Sequence, residues 1–302
     1  MIGRVNDKKS LTAYFIILIT ICASFVVGAR MMGEQGAYLA QGYMMTPAIA
    51  ALITRLCFYK PRFQDANLRL GRLRDYLRYW LFGLGITALS YAIYTLLGAI
   101  SWDFSGNVFL DRLTQQFAMS GQNINDTLPP GFTPQMMLAL FFVGGLTILN
   151  IFPGMITGFG EEFGHRGFMF PALFRFKPWV GFVIGGLIVF AWHLPLMLIL
   201  PESDTLPIWL SLLNIAVLAV GTILAHFYLA YVYIKSKSIF VASFAHITMN
   251  NVAASLSYFV IIQNQIFANL GLTLTMMIVF AILYSKKLMV FNELPDTYQY
   301  GG

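Results

Sequence analysis

The sequence has little charge. Only 11% of its 302 residues are Asp, Glu, Lys or Arg, against 58% hydrophobic residues, and the mean hydropathy is +0.70. A soluble core cannot use that much apolar surface, so a water-soluble globular class is excluded and a polytopic membrane protein is expected. Cysteine is nearly absent. Cys22 and Cys57 lie in apolar runs with neither CxxC spacing nor a flanking His, and both read as small buried hydrophobes. Histidine is also scarce, at positions 165, 193, 226 and 246. No internal repeat, heptad run, low-complexity tract or soluble domain is visible, and the tail after Lys287 carries no Cys for prenylation. The net charge of +6 does not mark a nucleic-acid surface, because the basic residues form short clusters between apolar runs, as the positive-inside rule predicts.

What is present is a series of apolar segments. Arg4, Lys8 and Lys9 precede Leu11 to Ala29, a run longer than a signal-peptide core and read as a retained first transmembrane helix. A second run spans Met44 to Tyr59, with Arg55 near its end where a long side chain can snorkel to water. A basic loop comes next, with Lys60, Arg62, Arg69, Arg72, Arg74 and Arg78 against Asp65 and Asp75. The third run, Tyr79 to Trp102, opens into a connection with Asp103, Asp111, Arg112 and Asp126 that ends at Pro129-Pro130-Gly131. Pro134 to Phe176 is about 65 Å if wholly helical, against a hydrocarbon core of about 30 Å, and Pro153 with Gly144-Gly145 suggests a kinked or broken crossing. Further spans are expected at Trp179 to Leu200, Pro207 to Ile234, Ser238 to Gln263 and Ile266 to Tyr284. Glu202 and Asp204 then fall on one side, and Lys235, Lys237, Lys286 and Lys287 on the other. The expected fold is all-α: one integral membrane domain over 1–302, about eight transmembrane helices, both termini cytoplasmic, in the plasma (inner) membrane. The motif-bearing core is expected at about 134–263.

Gly160 to Pro171 reads Gly-Glu-Glu-Phe-Gly-His-Arg-Gly-Phe-Met-Phe-Pro. An ionisable residue within a membrane costs roughly 2.5 to 3.5 kcal/mol on insertion scales, so Glu161, Glu162, His165 and Arg166 need mutual compensation or a job. On a helix Glu161 faces His165 and Glu162 faces Arg166, each four residues apart. His193, in Phe-Ala-Trp-His-Leu-Pro, and His246 with Asn250, in His-Ile-Thr-Met-Asn, lie on later spans. At 1.5 Å per residue Glu161, His193 and His246 sit about 15, 21 and 12 Å deep, so three helices can aim them at one cavity. A carboxylate out of water between helices can take a proton from water while an imidazole orients that water. A second His and an Asn on one helix face can donate to the developing oxyanion. Two His and a Glu can also hold zinc. HExxH is absent and no His pair has ligand spacing within one helix, so the metal-free reading is preferred and no cofactor is expected, with zinc left open. His165 reads as a packing or pairing residue, His226 as an interhelical hydrogen bond, and Asn251 as a further polar contact between helices.

These three motifs, Glu161-Glu162-Phe-Gly-His-Arg166-Gly167, Trp192-His193-Leu-Pro195 and His246-Ile-Thr-Met-Asn250, resemble those of the CPBP family, and in the same order. That family comprises intramembrane glutamic endopeptidases, including type II CAAX prenyl proteases and bacteriocin-processing proteins. The resemblance implies a catalytic set of Glu161 as base, His193 as its partner, and His246 with Asn250 at the oxyanion, with Glu162 and Arg166 supporting. One departure is Val189, where the family usually carries an aromatic four residues before the middle His. The expected activity is hydrolysis of a peptide or membrane-protein substrate that enters a cavity open to the cytoplasmic half. Two alternatives stand beside it: a transporter using the buried carboxylates and histidines for ion coupling, and a non-catalytic peptide-binding or immunity protein. The lipid bilayer is the surrounding partner, and the oligomeric state is not read.

Overall fold

The structure, a computed structural model, describes residues 7–59, 62–119, 123, 131–147, 151–196 and 207–286. The expectations for Arg4, Lys60, Asp126, Pro129, Pro130, Glu202, Asp204, Lys287 and the tail fall outside the described residues.

A backbone withdrawn from water must bond to itself, and the long apolar runs do so as helices. The chain opens with α1 (Asp7–Met32), a short α2 (Leu39–Tyr43) and α3 (Thr46–Cys57). Then come α4 (Leu73–Leu96), strand β1 (Ile100–Trp102), α5 (Asn107–Met119) and α6 (Pro134–Leu146). The charged motif closes α7 (Ile151–Gly164) and continues through a π-turn (His165–Met169) into α8 (Phe170–Phe176). A second π-turn (Val180–Ile184) leads into α9 (Gly185–His193), followed by α10 (Ile208–Ser236), α11 (Ile239–Ser257), β2 (Val260–Ile262) and α12 (Gln265–Ser285). Among the described residues, α1, α4, α10, α11 and α12 are long and apolar enough to cross a bilayer. The chain is an integral membrane protein built as a polytopic helical bundle.

The remaining expected spans are shorter or divided. The 44–59 run forms only the twelve residues of α3, about 18 Å long, started by Pro47 in its first turn. Its Arg55 does not snorkel: it is 1% exposed and paired with Asp65 at 2.7 Å. Cys57, expected to be buried, is exposed at the end of the same helix, while Cys22 is buried. The 134–176 stretch does break, but at the end of α6, where Thr147 is extended, and Pro153 stands in the first turn of α7 rather than at a kink. The span expected to reach Gln263 ends at Ser257. Its β-branched Val260-Ile261-Ile262 pairs antiparallel with Ile100–Trp102, closing the end of the bundle opposite the basic loop.

The site is positioned by α7, which glycine allows to be gripped on two faces. A Cβ on Gly158 would stand 2.3 Å from Cγ1 of Ile247, and one on Gly154 2.6 Å from Cγ2 of the same residue, so α11 lies directly against this face. On the other face a Cβ on Gly164 would meet the carbonyl carbon of Pro47 at 2.4 Å, at the start of α3. Backbone cannot rotate away as a side chain can. Gly164→Ala is therefore expected to lower stability by about 1–3 kcal/mol, read as an earlier thermal unfolding transition in detergent. Gly85→Ala, where nothing lies within 4 Å, should leave the transition in place or raise it.

Candidate active site

The two adjacent carboxylates at the end of α7 have different surroundings. Glu162 is fully buried, and its Oε1 accepts from Nη1 of Arg166 at 2.8 Å and from Nδ1 of His246 at 2.9 Å. The expected pairing of Glu162 with Arg166 is therefore present, and α11 adds a second donor. The parallel expectation for Glu161 and His165 fails. His165 packs edge-on against Trp192, ring centroids 5.1 Å apart, with neither ring nitrogen hydrogen-bonded, while Glu161 lines a cavity.

Across that cavity stands His193, the last residue of α9. Its Nδ1–H donates to the carbonyl of Val189 at 2.8 Å, which leaves Nε2 on the side of Glu161, 3.9 Å from Oε2. The preceding Trp192 fixes the backbone at this point. Its indole N–H donates to Thr46 Oγ1 at 3.0 Å, its carbonyl accepts from the Tyr43 hydroxyl at 2.7 Å, and the Tyr43 ring stacks on it. Thr46 and Tyr43 carry no local signal of this role, since they lie almost 150 residues away in sequence. His226 makes the interhelical hydrogen bond expected of it, to the Gly181 carbonyl at 3.1 Å. Asn251 faces α7 beside Gly154.

Glu161, Arg166, His193, His246 and Asn250 all line one cavity of about 330 Å³, to whose walls α4, α10 and α12 also contribute. Glu162 stands behind it. The lining runs from His246, about 10 Å from the Ile239 end of α11, to Tyr94, about 32 Å from the Leu73 end of α4. The lining thus extends along the bundle toward the β1–β2 pair and is not confined to the half beside the basic loop. Several hydroxyls in its wall are turned onto backbone carbonyls: Ser90 onto Ile86, Tyr91 onto Ala253, Thr222 onto Leu218 and Thr273 onto Val217. What remains facing inward is mostly apolar, so the polar chemistry is concentrated at one end. Among the described residues no group of three or more His, Cys, Asp or Glu side chains is gathered as a metal ion requires. His246 Nδ1 is engaged by Glu162 at 2.9 Å.

Residues 143–252 match the family described as Rce1-like, type II CAAX prenyl endopeptidase Rce1-like. The match covers a little over a third of the chain, contains all three motifs, and supports the resemblance to the CPBP family. At the level of that family it implies protease activity. Comparison with curated proteins finds no match to this chain.

The unequal surroundings of the two carboxylates have a measurable consequence. Glu162→Gln weakens a buried cluster in which Arg166 and His246 both depend on the carboxylate, and is expected to cost about 3–5 kcal/mol. Glu161→Gln breaks no ion pair within hydrogen-bonding distance and should cost much less. Thermal unfolding of the two variants side by side tests this, and equal losses would contradict the assignment.

Proposed function

We propose that the protein is an intramembrane endopeptidase in which Glu161 and His193 activate a water molecule. The observation that carries this reading is the shared cavity, where Glu161 of α7 and His193 of α9 face each other across a gap of 3.9 Å and His246 and Asn250 of α11 line the same space. Such a gap is too wide for a direct hydrogen bond but suits one water about 2.8 Å from each atom. The water donates one proton toward the Glu161 carboxylate and the other toward Nε2 of His193, which leaves an oxygen lone pair for the scissile carbonyl. As the C–O bond forms, Glu161 takes a proton and the carbonyl oxygen becomes an oxyanion. The amide of Asn250 can donate to that oxygen. His246 can do so through Nε2 in its doubly protonated form, with Nδ1–H held by Glu162. Breaking the C–N bond returns the proton from Glu161 to the leaving amine.

A substrate held in an apolar sleeve with polar groups at one end is a peptide segment at membrane depth, either free or part of a membrane protein. The reading uses no metal. We further propose that the basic loop and both termini face the cytoplasm of a plasma membrane, following the distribution of Lys and Arg.

In proteoliposomes supplied with membrane peptides, Glu161→Gln and His193→Ala should each lower cleavage by at least about a thousandfold while the unfolding transition changes little. A strong chelator such as 1,10-phenanthroline should leave the wild-type rate unchanged. Retained cleavage in either variant would rule out the mechanism. Proton-coupled solute flux without cleavage would favour a transporter instead.

A further inference from the structure

The segment between α3 and α4 does more than connect them. Arg55, on the last turn of α3, is boxed by the rings of Tyr59, Phe163 and Phe168, with its guanidinium carbon 5.0, 5.9 and 5.4 Å from their centroids. Its Nη1 donates to Asp65 at 2.7 Å and also to the Arg62 carbonyl, while its Nη2 donates to the carbonyl of Gly167. Gly167 is the middle residue of the π-turn after the two carboxylates, and Phe163 is the residue directly after Glu162. Asp65 is held in turn by the Tyr59 hydroxyl, which also accepts from Arg175 at 3.2 Å.

The same segment grips the helix that brings His246. The Asn67 carbonyl accepts from the Ile239 N–H at 3.2 Å, and the Arg69 carbonyl accepts from the Ser238 hydroxyl, which also caps α11 through Val241 N–H. Gly71, at φ +80°, passes so close to α11 that a Cβ there would lie 2.6 Å from Val241. Arg62 and Asn67 both hold left-handed backbone, at φ 62° and 52°, and each has its carbonyl engaged in one of these bonds. One strap, closed by a buried ion pair, therefore joins the end of α7 to the start of α11. The Glu162–His246 contact spans the same two helices.

We propose that Arg55 is a positioning residue for the catalytic groups: through the Gly167 carbonyl and the Asp65 strap it sets the offset between α7 and α11, and so the Glu162–His246 hydrogen bond. Arg suits this task because its planar fork can serve two acceptors in different directions, which a single ammonium does less well. The proposal rests on the endopeptidase reading for its consequence in catalysis, but the geometric coupling of the two helices stands apart from that reading.

The chain has only four histidines, so protein labelled with ¹⁵N-histidine gives a spectrum that single substitutions can assign. The variants are Arg55→Gln, Arg55→Lys and the apolar pair Arg55→Leu with Asp65→Leu. The apolar pair removes the bond to Gly167 without leaving a buried charge unmatched, and so is the variant suited to fold if the others do not. In a cooperatively folded apolar pair or Arg55→Gln protein, the His246 Nδ1 signal should lose its hydrogen-bonded position while His226, bound to Gly181, stays in place. Arg55→Lys should recover that signal only partly. Turnover of a CAAX-terminated membrane peptide should fall at least about tenfold in kcat with KM little changed. A folded apolar pair with the wild-type His246 signal and kcat would overturn the proposal, as would full recovery by Lys, since charge alone would then suffice. If the wild-type protein cleaves no peptide, the His246 signal still decides the positioning role, and only the protease reading fails.

Discussion

A carboxylate inside a bilayer-sized bundle has to be matched by donors, and here that demand falls on Glu162. It is 0% exposed and accepts from Arg166 on its own helix and from His246 on another. Loss of either donor leaves charge in a low-dielectric setting, so the contact between α7 and α11 is fixed by electrostatics as well as by packing. The glycines of α7 make the distance achievable. Gly154 and Gly158 let Ile247 seat against the helix, while Gly164 admits the start of α3 on the opposite side. Steric fit and charge matching therefore specify the same arrangement.

That arrangement separates two neighbouring carboxylates by environment. Glu162 is spent on holding the bundle together, and Glu161, one residue earlier and about 100° around the helix, is left facing the cavity. The same division appears in the histidines. His226 is tied to a backbone carbonyl and His165 is wedged on Trp192, whereas His193 keeps Nε2 turned toward Glu161. The two π-turns add a common theme. Each offers a carbonyl to a side chain from elsewhere, Gly167 to Arg55 and Gly181 to His226, and each lies on the path to a motif residue. Insertions of this kind rotate the next helical turns and recur at functional sites.

Much of the fold was readable from apolar run length alone, because a bilayer permits few alternatives to long helices. The runs that became α10 and α12 carry little else to interpret. Legibility failed where burial in protein replaced burial in lipid. Arg55 followed the rule for a charge near a helix end in lipid, yet it lies on the buried face of α3 and Asp65 folds back to meet it. The 260–262 segment was read as the end of a helix because its partner strand lies 160 residues earlier, which no local pattern reveals. In the candidate site the i,i+4 spacing gave the Glu162–Arg166 pair correctly and misled for Glu161 and His165. Spacing says which side chains share a helix face, not whether a third helix will claim one of them. The meeting of Glu161, His193, His246 and Asn250 was an expectation from depth alone, and their common cavity is a property of tertiary packing.

The proposed mechanism requires that one water, and not a metal ion, stand between Glu161 and His193. The direct measurement is a high-resolution experimental structure of the purified protein in lipid, collected with anomalous data at the zinc edge. The mechanism predicts a single water peak about 2.8 Å from both Oε2 of Glu161 and Nε2 of His193, with no anomalous signal there. A metal peak ligated by these side chains, or a His193 ring turned away from Glu161, would contradict it.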